Sequence, residues 1–355
     1  MAAGQAACYK LKRISPPLRQ AFAVTAATTH SDEKLAEAVP GGDRRALARA
    51  ITLIESSRRD HRARAQVLLE RLMPHTGGST RLGISGVPGV GKSTFIEAFG
   101  LHLIGQGHQV AVLAVDPSSK RSGGSILGDK TRMLELARAP AAFIRPSPTG
   151  GTLGGVTRRT REAMLVCEAA GFDVILVETV GVGQSETAVH DMVDMFLLMI
   201  SPAGGDELQG LKRGIAELAD LVLVNKADGE FAAAAGRIAA DYSHALRLLK
   251  PPSPSWTPPV LQCSALKREG IAEVWQAVER HGEALRATGE IAARRASQAR
   301  RWMWSEVLES LMAAIESDPQ VGAMTAELEA KVTAGEITPT AAAEAMLKAF
   351  SSKRS

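Results

Sequence analysis

A glycine-rich segment that begins at residue 86 has the composition of a phosphate-binding loop. It fits the pattern G-x-x-x-x-G-K-[ST] with Gly86, Val87, Pro88, Gly89, Val90, Gly91, Lys92, Ser93 and Thr94. Glycines let the backbone curl so that successive N–H groups point at a phosphate, and the N-terminus of the next helix adds a partial positive charge. We therefore expect Lys92 to reach the β- and γ-phosphates of a nucleotide and the Ser93 hydroxyl to bind Mg²⁺.

A second motif indicates which base the nucleotide carries. Asn225-Lys226-Ala227-Asp228 follows the apolar run Leu221 to Val224. The Asp228 carboxylate can accept hydrogen bonds from both N1–H and the 2-amino group of guanine, whereas adenine would leave a desolvated carboxylate unpaired. Ser264-Ala265-Leu266, after the last apolar run, is expected to place a backbone N–H near the guanine carbonyl oxygen. The two motifs together predict GTP and GDP as ligands.

Three carboxylates between residues 116 and 178 suit a magnesium ion. Asp116 follows the second apolar run, Glu178 ends the third in place of the more usual aspartate of Asp-x-x-Gly, and Asp129 lies in a Gly/Ser-rich segment. Mg²⁺ prefers oxygen ligands in octahedral geometry. Ser93, Asp116, Asp129 and Glu178 are therefore candidate ligands, with an N-cap of the following helix as the alternative role of Asp129.

The loop after Glu178 is predicted to be a switch. The amide of Gly181 is expected to touch the γ-phosphate and to move away after hydrolysis, so that Lys92, Asp116 and Gly181 form the candidate catalytic set. Fast small GTPases carry a water-orienting glutamine directly after this glycine. Val182 stands there and cannot orient water, and the orientation of Gln184 is left open. We predict slow intrinsic hydrolysis that a partner or dimerisation raises.

The segment Gly204 to Lys212 is a further candidate for nucleotide sensing. It is glycine-rich, charged and long for a connection between a strand and a helix. One interpretation is a mobile element that reports the nucleotide state to a partner. The alternative is a turn at Gly204-Gly205 followed by Asp206 as a helix cap.

Short apolar runs alternating with helical stretches predict the fold. The runs are Leu82 to Ser85, Val110 to Val115, Val174 to Val177, Met195 to Ile200, Leu221 to Val224 and Val260 to Cys263. Unalternating runs separated by helices are typical of a parallel sheet covered on both faces, with right-handed crossovers. The sequence therefore predicts a doubly wound α/β fold with a mostly parallel sheet.

Helical patterns flank this sheet on both sides. We predict a disordered extension over residues 1–42, an N-terminal helical segment over 43–78, a P-loop GTPase domain over 79–285 and a helical arm over 286–355. The helical stretch of the second segment is expected from Asp43 to about Leu72. Because the sheet is complete before residue 286, the late helices need another surface to cover. A dimerisation arm and packing on their own domain are the two alternatives.

Composition excludes several classes of protein. Hydrophobic residues make up 45% of the 355 residues and charged residues 23%, as in ordinary soluble proteins, and no apolar run approaches the roughly 20 residues of a membrane span. The net charge is +4, but Lys and Arg alternate with acids and form no aromatic-basic cluster, so no nucleic-acid groove is indicated. No membrane or nucleic-acid partner is therefore expected.

The cysteines and the N-terminus bear on localisation. Cys8, Cys167 and Cys263 are isolated, which argues against a zinc site and for a reducing compartment. The first 31 residues contain four basic residues and no acid, as in a transit peptide, but they include two prolines and lack a clear amphipathic face. A cytoplasmic location is expected, with mitochondrial targeting as the alternative.

The combined motifs resemble those of the MeaB/ArgK group of GTPases over roughly residues 45 to 350. The matching stretches are the phosphate loop, Val115 to Ser119, Gly128 to Met133, Glu178 to Glu186 and Asn225 to Asp228. The resemblance implies a homodimeric G-protein chaperone that gates cofactor loading of adenosylcobalamin-dependent methylmalonyl-CoA mutase and protects that enzyme. It also implies magnesium at Ser93, Asp116, Asp129 and Glu178, a switch facing the mutase at Gly204 to Lys212, and a C-terminal dimerisation arm.

Two other classes of P-loop protein fit less well. A metallochaperone GTPase for nickel or zinc needs closely spaced soft or imidazole ligands, whereas the eight histidines here are scattered. A small-molecule kinase seldom carries a guanine-selecting Asn-Lys-x-Asp, and nothing in the chain resembles an acceptor-substrate pocket. That second point also argues against an older description of this group as a kinase of arginine or ornithine transport.

Overall fold

The computed structural model describes residues 26–56, 58–115, 133–146, 153–179, 185–202 and 213–352. These residues divide into two compact units. The first contains residues 26–79 and Glu162–Asp173, and the second contains residues 80–161 and 174–352. None of the helices in the described ranges combines the length and the apolar composition needed to span a bilayer.

Three helices make up most of the first unit: α1 (Ala26–Ala38), α2 (Arg44–Glu55) and α3 (Arg59–Leu72). The Asp43 carboxylate caps α2 by accepting hydrogen bonds from the amides of Arg45 and Ala46 at 2.7 and 3.1 Å. The Arg64 guanidinium pairs with the Asp32 carboxylate at 2.9 and 2.8 Å and so connects α3 to α1. Helix α1 lies in the range that the sequence assigned to an extension.

The helical stretch expected from Asp43 to about Leu72 consists of two helices, because the helical conformation is interrupted after Glu55. Ser56 has an extended conformation (φ −68°, ψ 133°). Its hydroxyl accepts from the Arg58 amide at 3.4 Å and contacts His61 Nδ1 at 2.8 Å. A serine side chain that binds nearby backbone groups competes with helical hydrogen bonding, which explains the break.

The second unit contains a seven-stranded sheet in the order β3-β2-β4-β1-β5-β6-β7. All strand pairs are parallel, which confirms the predicted doubly wound α/β fold. The strands are β1 (Thr80–Gly86), β2 (Val110–Val115), β3 (Ala142–Arg145), β4 (Val174–Thr179), β5 (Met195–Ile200), β6 (Leu221–Val224) and β7 (Val260–Gln262). The apolar runs did not predict β3, because a four-residue edge strand that ends in arginine contains no long apolar run.

Helices connect these strands and continue to the C-terminus. They are α4 (Lys92–Gly105), α5 (Leu134–Arg138), α6 (Leu153–Ala169), α7 (Ser185–His190), α8 (Arg213–Ala216), α9 (Ala232–Leu248), α10 (Ile271–Ala287), α11 (Glu290–Glu316), α12 (Pro319–Thr333) and α13 (Pro339–Ser351). Helix α6 begins in the second unit and ends in the first. The last three helices lie within the range predicted as an arm.

The core of the second unit lies on both faces of the sheet. On one face, α4 and α10 cover Leu82, Ile84 and Leu176, with Phe99 stacked on Phe95 at a centroid distance of 5.2 Å. On the other face, α9 covers alternate residues of β5 and β6. Because all strands are parallel, their carboxyl ends meet at one edge, where the predicted motifs follow β1, β4, β6 and β7.

A buried carboxylate holds the start of α11 against the amino ends of β5 and β6. Asp220 is fully buried and accepts hydrogen bonds from the Phe196 amide at 2.9 Å and from the Arg294 guanidinium at 3.1 and 3.3 Å. His281 Nε2 lies 3.7 Å from its Oδ1. Burial alone raises the pKa of Asp220, but the nearby His281 imidazole and the charge and hydrogen bonds of Arg294 outweigh it and hold the pKa below its usual value.

We expect Asp220→Asn to lower the free energy of unfolding by about 3 kcal/mol or more at pH 7, because it removes one partner of a buried ion pair. The pKa of Asp220 is depressed in the folded protein. Its contribution to the free energy of unfolding is therefore complete at pH values above its pKa in the unfolded chain, about 3.9. That contribution is lost as pH falls through the folded pKa. Urea unfolding at pH 7 and at acidic pH measures both effects.

The matched control is Asp241→Asn, which neutralises an exposed carboxylate on α9. It should change the free energy of unfolding by less than about 0.5 kcal/mol. Equal stabilities of the two variants at pH 7 would contradict the role of Asp220.

Candidate nucleotide-binding site

The phosphate loop connects β1 to α4 and depends on two glycines that have no room for a side chain. A Cβ at Gly86 would lie 2.5 Å from the Met199 carbonyl oxygen on the neighbouring strand. A Cβ at Gly91 would lie 2.6 Å from Asn225 Nδ2, and Gly91 has a left-handed φ of +98°. The loop therefore keeps its shape only with glycine at both positions.

Lys92 lies inside this loop. Its ammonium donates hydrogen bonds to the carbonyl oxygens of Gly86 and Val87 at 2.6 and 3.2 Å, and its side chain is buried. Burial lowers the pKa of Lys92, while the negative charges of Glu178 and Glu186 act in the opposite direction. The structure thus places a cation among the backbone groups of a loop built for phosphates.

Asn225 connects the phosphate loop to the loop after β7. It is only 2% exposed, and its Nδ2 donates to the Val90 carbonyl oxygen at 2.9 Å. Its Oδ1 accepts from the Ala265 amide at 3.1 Å. The adjacent Lys226 donates from Nζ to the Gly89 carbonyl oxygen at 2.9 Å. Three segments far apart in sequence therefore meet at one asparagine side chain.

The expected base-binding groups lie on the accessible side of this junction. Lys267 Nζ lies 3.7 Å from the Asp228 carboxylate, whose side chain is 21% exposed. The Lys267 amide donates to Ser264 Oγ at 3.2 Å, and the Ala265 amide is taken by Asn225. The Leu266 amide makes no hydrogen bond among the described residues and is the donor that remains for a base. The sequence did not distinguish these amides.

Two of the four expected magnesium ligands lie side by side. Ser93 Oγ donates to Glu178 Oε1 at 3.2 Å, and Glu178, the last residue but one of β4, pairs with Ile84 of β1. A hydroxyl and a carboxylate in contact are hard oxygen donors of the kind that Mg²⁺ prefers, so these residues fit the ion. Within the described ranges, no three or more His, Cys, Asp or Glu side chains form a metal cluster.

Several predicted residues lie outside the described residues. These are Asp116, Asp129, Gly181, Val182, Gln184 and the segment Gly204 to Lys212. Their roles in metal binding, switching and water positioning remain predictions. The remaining loop residue, Thr94, is exposed on the first turn of α4.

Sequence reasoning gave no role to Glu186. The structure buries this residue on the first turn of α7 with 2% exposure, and its charge acts on Lys92. The preceding Ser185 is fully buried, and its hydroxyl has no hydrogen-bond partner in the described part of the chain. The signal in the sequence was a carboxylate one helical turn before the apolar Val189.

Comparisons with known proteins identify the family. The family model "Methylmalonyl Co-A mutase-associated GTPase MeaB" matches residues 47–320. A protein of Caulobacter vibrioides is 58% identical over 318 residues, which cover 90% of this chain and 97% of that protein. The "Methylmalonic aciduria type A homolog, mitochondrial" of Mus musculus is 52% identical over 322 residues, covering 88% of this chain and 78% of that protein.

A solved structure agrees with these matches. The crystal structure of a LAO/AO transport system kinase superposes with a TM-score of 0.71 at 38% sequence identity, covering 92% of this chain and 98% of that one. The resemblance of the motifs is thus confirmed over most of the chain. The protein belongs to the MeaB family of methylmalonyl-CoA mutase-associated GTPases.

Proposed function

We propose that this GTPase holds GTP or GDP between the phosphate loop and the Asn225-Lys226-Ala227-Asp228 motif. We propose further that its hydrolysis of GTP gates the loading of adenosylcobalamin into methylmalonyl-CoA mutase and protects that enzyme. The observation that carries the nucleotide site is the pair of hydrogen bonds from Asn225 to Val90 and from Ala265 to Asn225. The name of the family carries the association with the mutase.

Lys92 supplies the main positive charge of the phosphate side. Its ammonium can exchange the carbonyl oxygens of Gly86 and Val87 for phosphate oxygens without leaving the loop. A fixed cation in a buried site stabilises developing negative charge more strongly than it would in water, because the local dielectric constant is low. We therefore propose that Lys92 stabilises the transition state of γ-phosphoryl transfer.

Ser93 and Glu178 would hold a magnesium ion, with Asp116 and Asp129 as the further proposed ligands. When bound, Mg²⁺ neutralises charge on the β- and γ-phosphates. The chain's own contribution is to keep a hydroxyl and a carboxylate 3.2 Å apart at the end of β4.

Asp228 and the Leu266 amide form the proposed base site. Asp228 accepts from N1–H and the 2-amino group of guanine, while the Leu266 amide donates to the guanine carbonyl oxygen. An adenine in this position would place a donor opposite a protein donor and an acceptor opposite a protein acceptor. Polar groups left unpaired in this way give strong discrimination between the two bases.

We expect Asp228→Asn to weaken GDP binding by about 100-fold, because an amide cannot accept from both guanine donors. Xanthosine diphosphate, which has a carbonyl oxygen in place of the 2-amino group, should bind the variant better than it binds the unmodified protein. Isothermal titration calorimetry with both nucleotides measures the change, and Asp241→Asn is the matched control. Unchanged GDP affinity in Asp228→Asn would contradict the base site.

An exposed apolar stripe on α11 supports the proposal that the protein is a homodimer. The stripe repeats at helical spacing over about two and a half turns and consists of Met303, Trp304, Val307, Leu308, Leu311 and Met312. The side chain of Leu308, for example, is 62% exposed. The opposite side of α11 contacts α6, where Arg158 pairs with Glu306 at 2.9 Å. A second copy of the same stripe would bury these side chains in a self-complementary contact.

We expect Leu308→Glu to convert the dimer into a monomer, because it places a charge in the centre of an apolar interface. Sedimentation velocity at micromolar concentration measures the oligomeric state. Ala313→Glu, an exposed position on the opposite face of α11, is the control and should leave the dimer intact. A dimer that survives Leu308→Glu would exclude this stripe as the interface.

The chaperone function predicts that the mutase distinguishes the two nucleotide states. The GDP-bound protein and the protein bound to a non-hydrolysable GTP analogue should differ at least about tenfold in affinity for methylmalonyl-CoA mutase, since a switch must bind its partner differently in its two states. Titration calorimetry with the purified mutase measures this difference. Equal affinities in the two states would rule out gating, while the Asp228→Asn variant should lose the difference together with guanine binding.

A cytoplasmic location remains a proposal. Cys167 and Cys263 are free and buried, as expected in a reducing compartment. The mouse relative is named as a mitochondrial protein.

A further inference from the structure

Backbone hydrogen bonds hold the segment that carries Asp228 beside the chain that leaves β7. The Ala227 amide, directly before Asp228, donates to the Cys263 carbonyl oxygen at 3.0 Å. The Cys263 amide in turn donates to the Val224 carbonyl oxygen at 2.9 Å. Since both segments are bound to each other at the backbone, the side chains that follow them meet in a defined arrangement.

The loop after β7 is a tight turn over residues 265–268. Ser264 and Glu269 exchange backbone hydrogen bonds at 3.0 and 3.1 Å across its base. The Lys267 amide donates to Ser264 Oγ at 3.2 Å. Arg268 completes the turn with a φ of 60°, in a region that residues other than glycine seldom adopt. The backbone of Lys267 is thus held in place, while its side chain is half exposed.

The Lys267 ammonium faces the Asp228 carboxylate between these two segments. Nζ lies 3.7 Å from Oδ2, a distance that suits an ion pair but exceeds that of a hydrogen bond. Among the residues that the structure describes, no hydrogen-bond donor reaches this carboxylate. A base that binds here must therefore supply donors to both carboxylate oxygens, or Lys267 must supply one of them.

Guanine and hypoxanthine differ only in that second donor. Both bases carry N1–H and a carbonyl oxygen, but hypoxanthine lacks the 2-amino group. Without it, one oxygen of the desolvated Asp228 carboxylate would stay unpaired, which is costly. A lysine carries three donors on a flexible four-carbon stem. Lys267 already pairs with this carboxylate and can turn to the oxygen that hypoxanthine leaves without a donor.

We propose that Lys267 is a specificity-determining residue that replaces the missing 2-amino donor, so that the site accepts inosine nucleotides as well as guanine nucleotides. This inference rests on the proposed nucleotide site and names its substrate class as the nucleotides of 6-oxopurines. Adenine stays excluded, because it has no N1–H for Asp228 and presents a 6-amino donor to the Leu266 amide.

The test compares GDP with inosine diphosphate on the full chain with the variant Lys267→Met, which keeps a long side chain and removes its ammonium. Isothermal titration calorimetry with Mg²⁺ gives both dissociation constants. We expect the ratio of the inosine diphosphate constant to the GDP constant to rise about fivefold, at the lower end of the cost of an unpaired group because Asp228 is partly exposed. GDP affinity should change less, since guanine supplies both donors itself.

Two controls accompany this variant. Lys267→Arg keeps donors at the same position and should leave the ratio near that of the unmodified protein. Lys250→Met removes an exposed lysine that follows α9 and should leave both constants unchanged.

The ratio separates the proposed role from a general effect of charge or structure. GDP and inosine diphosphate carry the same phosphates, so damage to the site or loss of positive charge would weaken both alike. An unchanged ratio in Lys267→Met overturns the proposal, and so does an equal rise in Lys267→Arg. If the unmodified protein binds neither nucleotide, the nucleotide site itself is wrong, and this inference is overturned with it.

Discussion

The nucleotide site depends on the side-chain amide of Asn225. A buried amide must have its donors and acceptor satisfied, and this one satisfies them with Val90 of the phosphate loop and Ala265 of the loop after β7. These hydrogen bonds fix the distance between the phosphate loop and the loop after β7. A nucleotide that spans this distance can contact the first loop with its phosphates and the second with its base. Gly91 completes the arrangement, because a side chain there would collide with the same amide.

The sheet supplies the rest of the geometry at its two edges. At the carboxyl edge, parallel strands bring the phosphate loop, Glu178 and Asn225 together. At the amino edge, Asp220 and Asp194 hold Arg294 and Arg295 at the start of α11. Helix α7 lies between the edges, and Gln298 of α11 donates a hydrogen bond to the carbonyl oxygen of Val193, in the chain that follows α7, at 2.8 Å. Hydrogen bonds and ion pairs therefore hold the start of α11 to the amino edge of the sheet.

The sequence predicted most of the sheet, because buried parallel strands appear as unalternating apolar runs and the motifs follow those runs directly. It did not predict β3, the break at Ser56 or the use of the Ala265 amide by Asn225. Nor did it predict the burial of Glu186. Each of these depends on a competing local hydrogen bond or on a contact between residues far apart in the chain, such as Asn225 and Ala265, which spacing alone does not encode.

The central claim is that Asp228 and the phosphate loop together select a guanine nucleotide. Titration calorimetry of the unmodified protein with GDP and with ADP, under identical magnesium and salt conditions, tests it most directly. GDP should bind at least about a thousandfold more tightly, because adenine leaves the carboxylate unpaired. An ADP affinity equal to or greater than that for GDP would contradict the account.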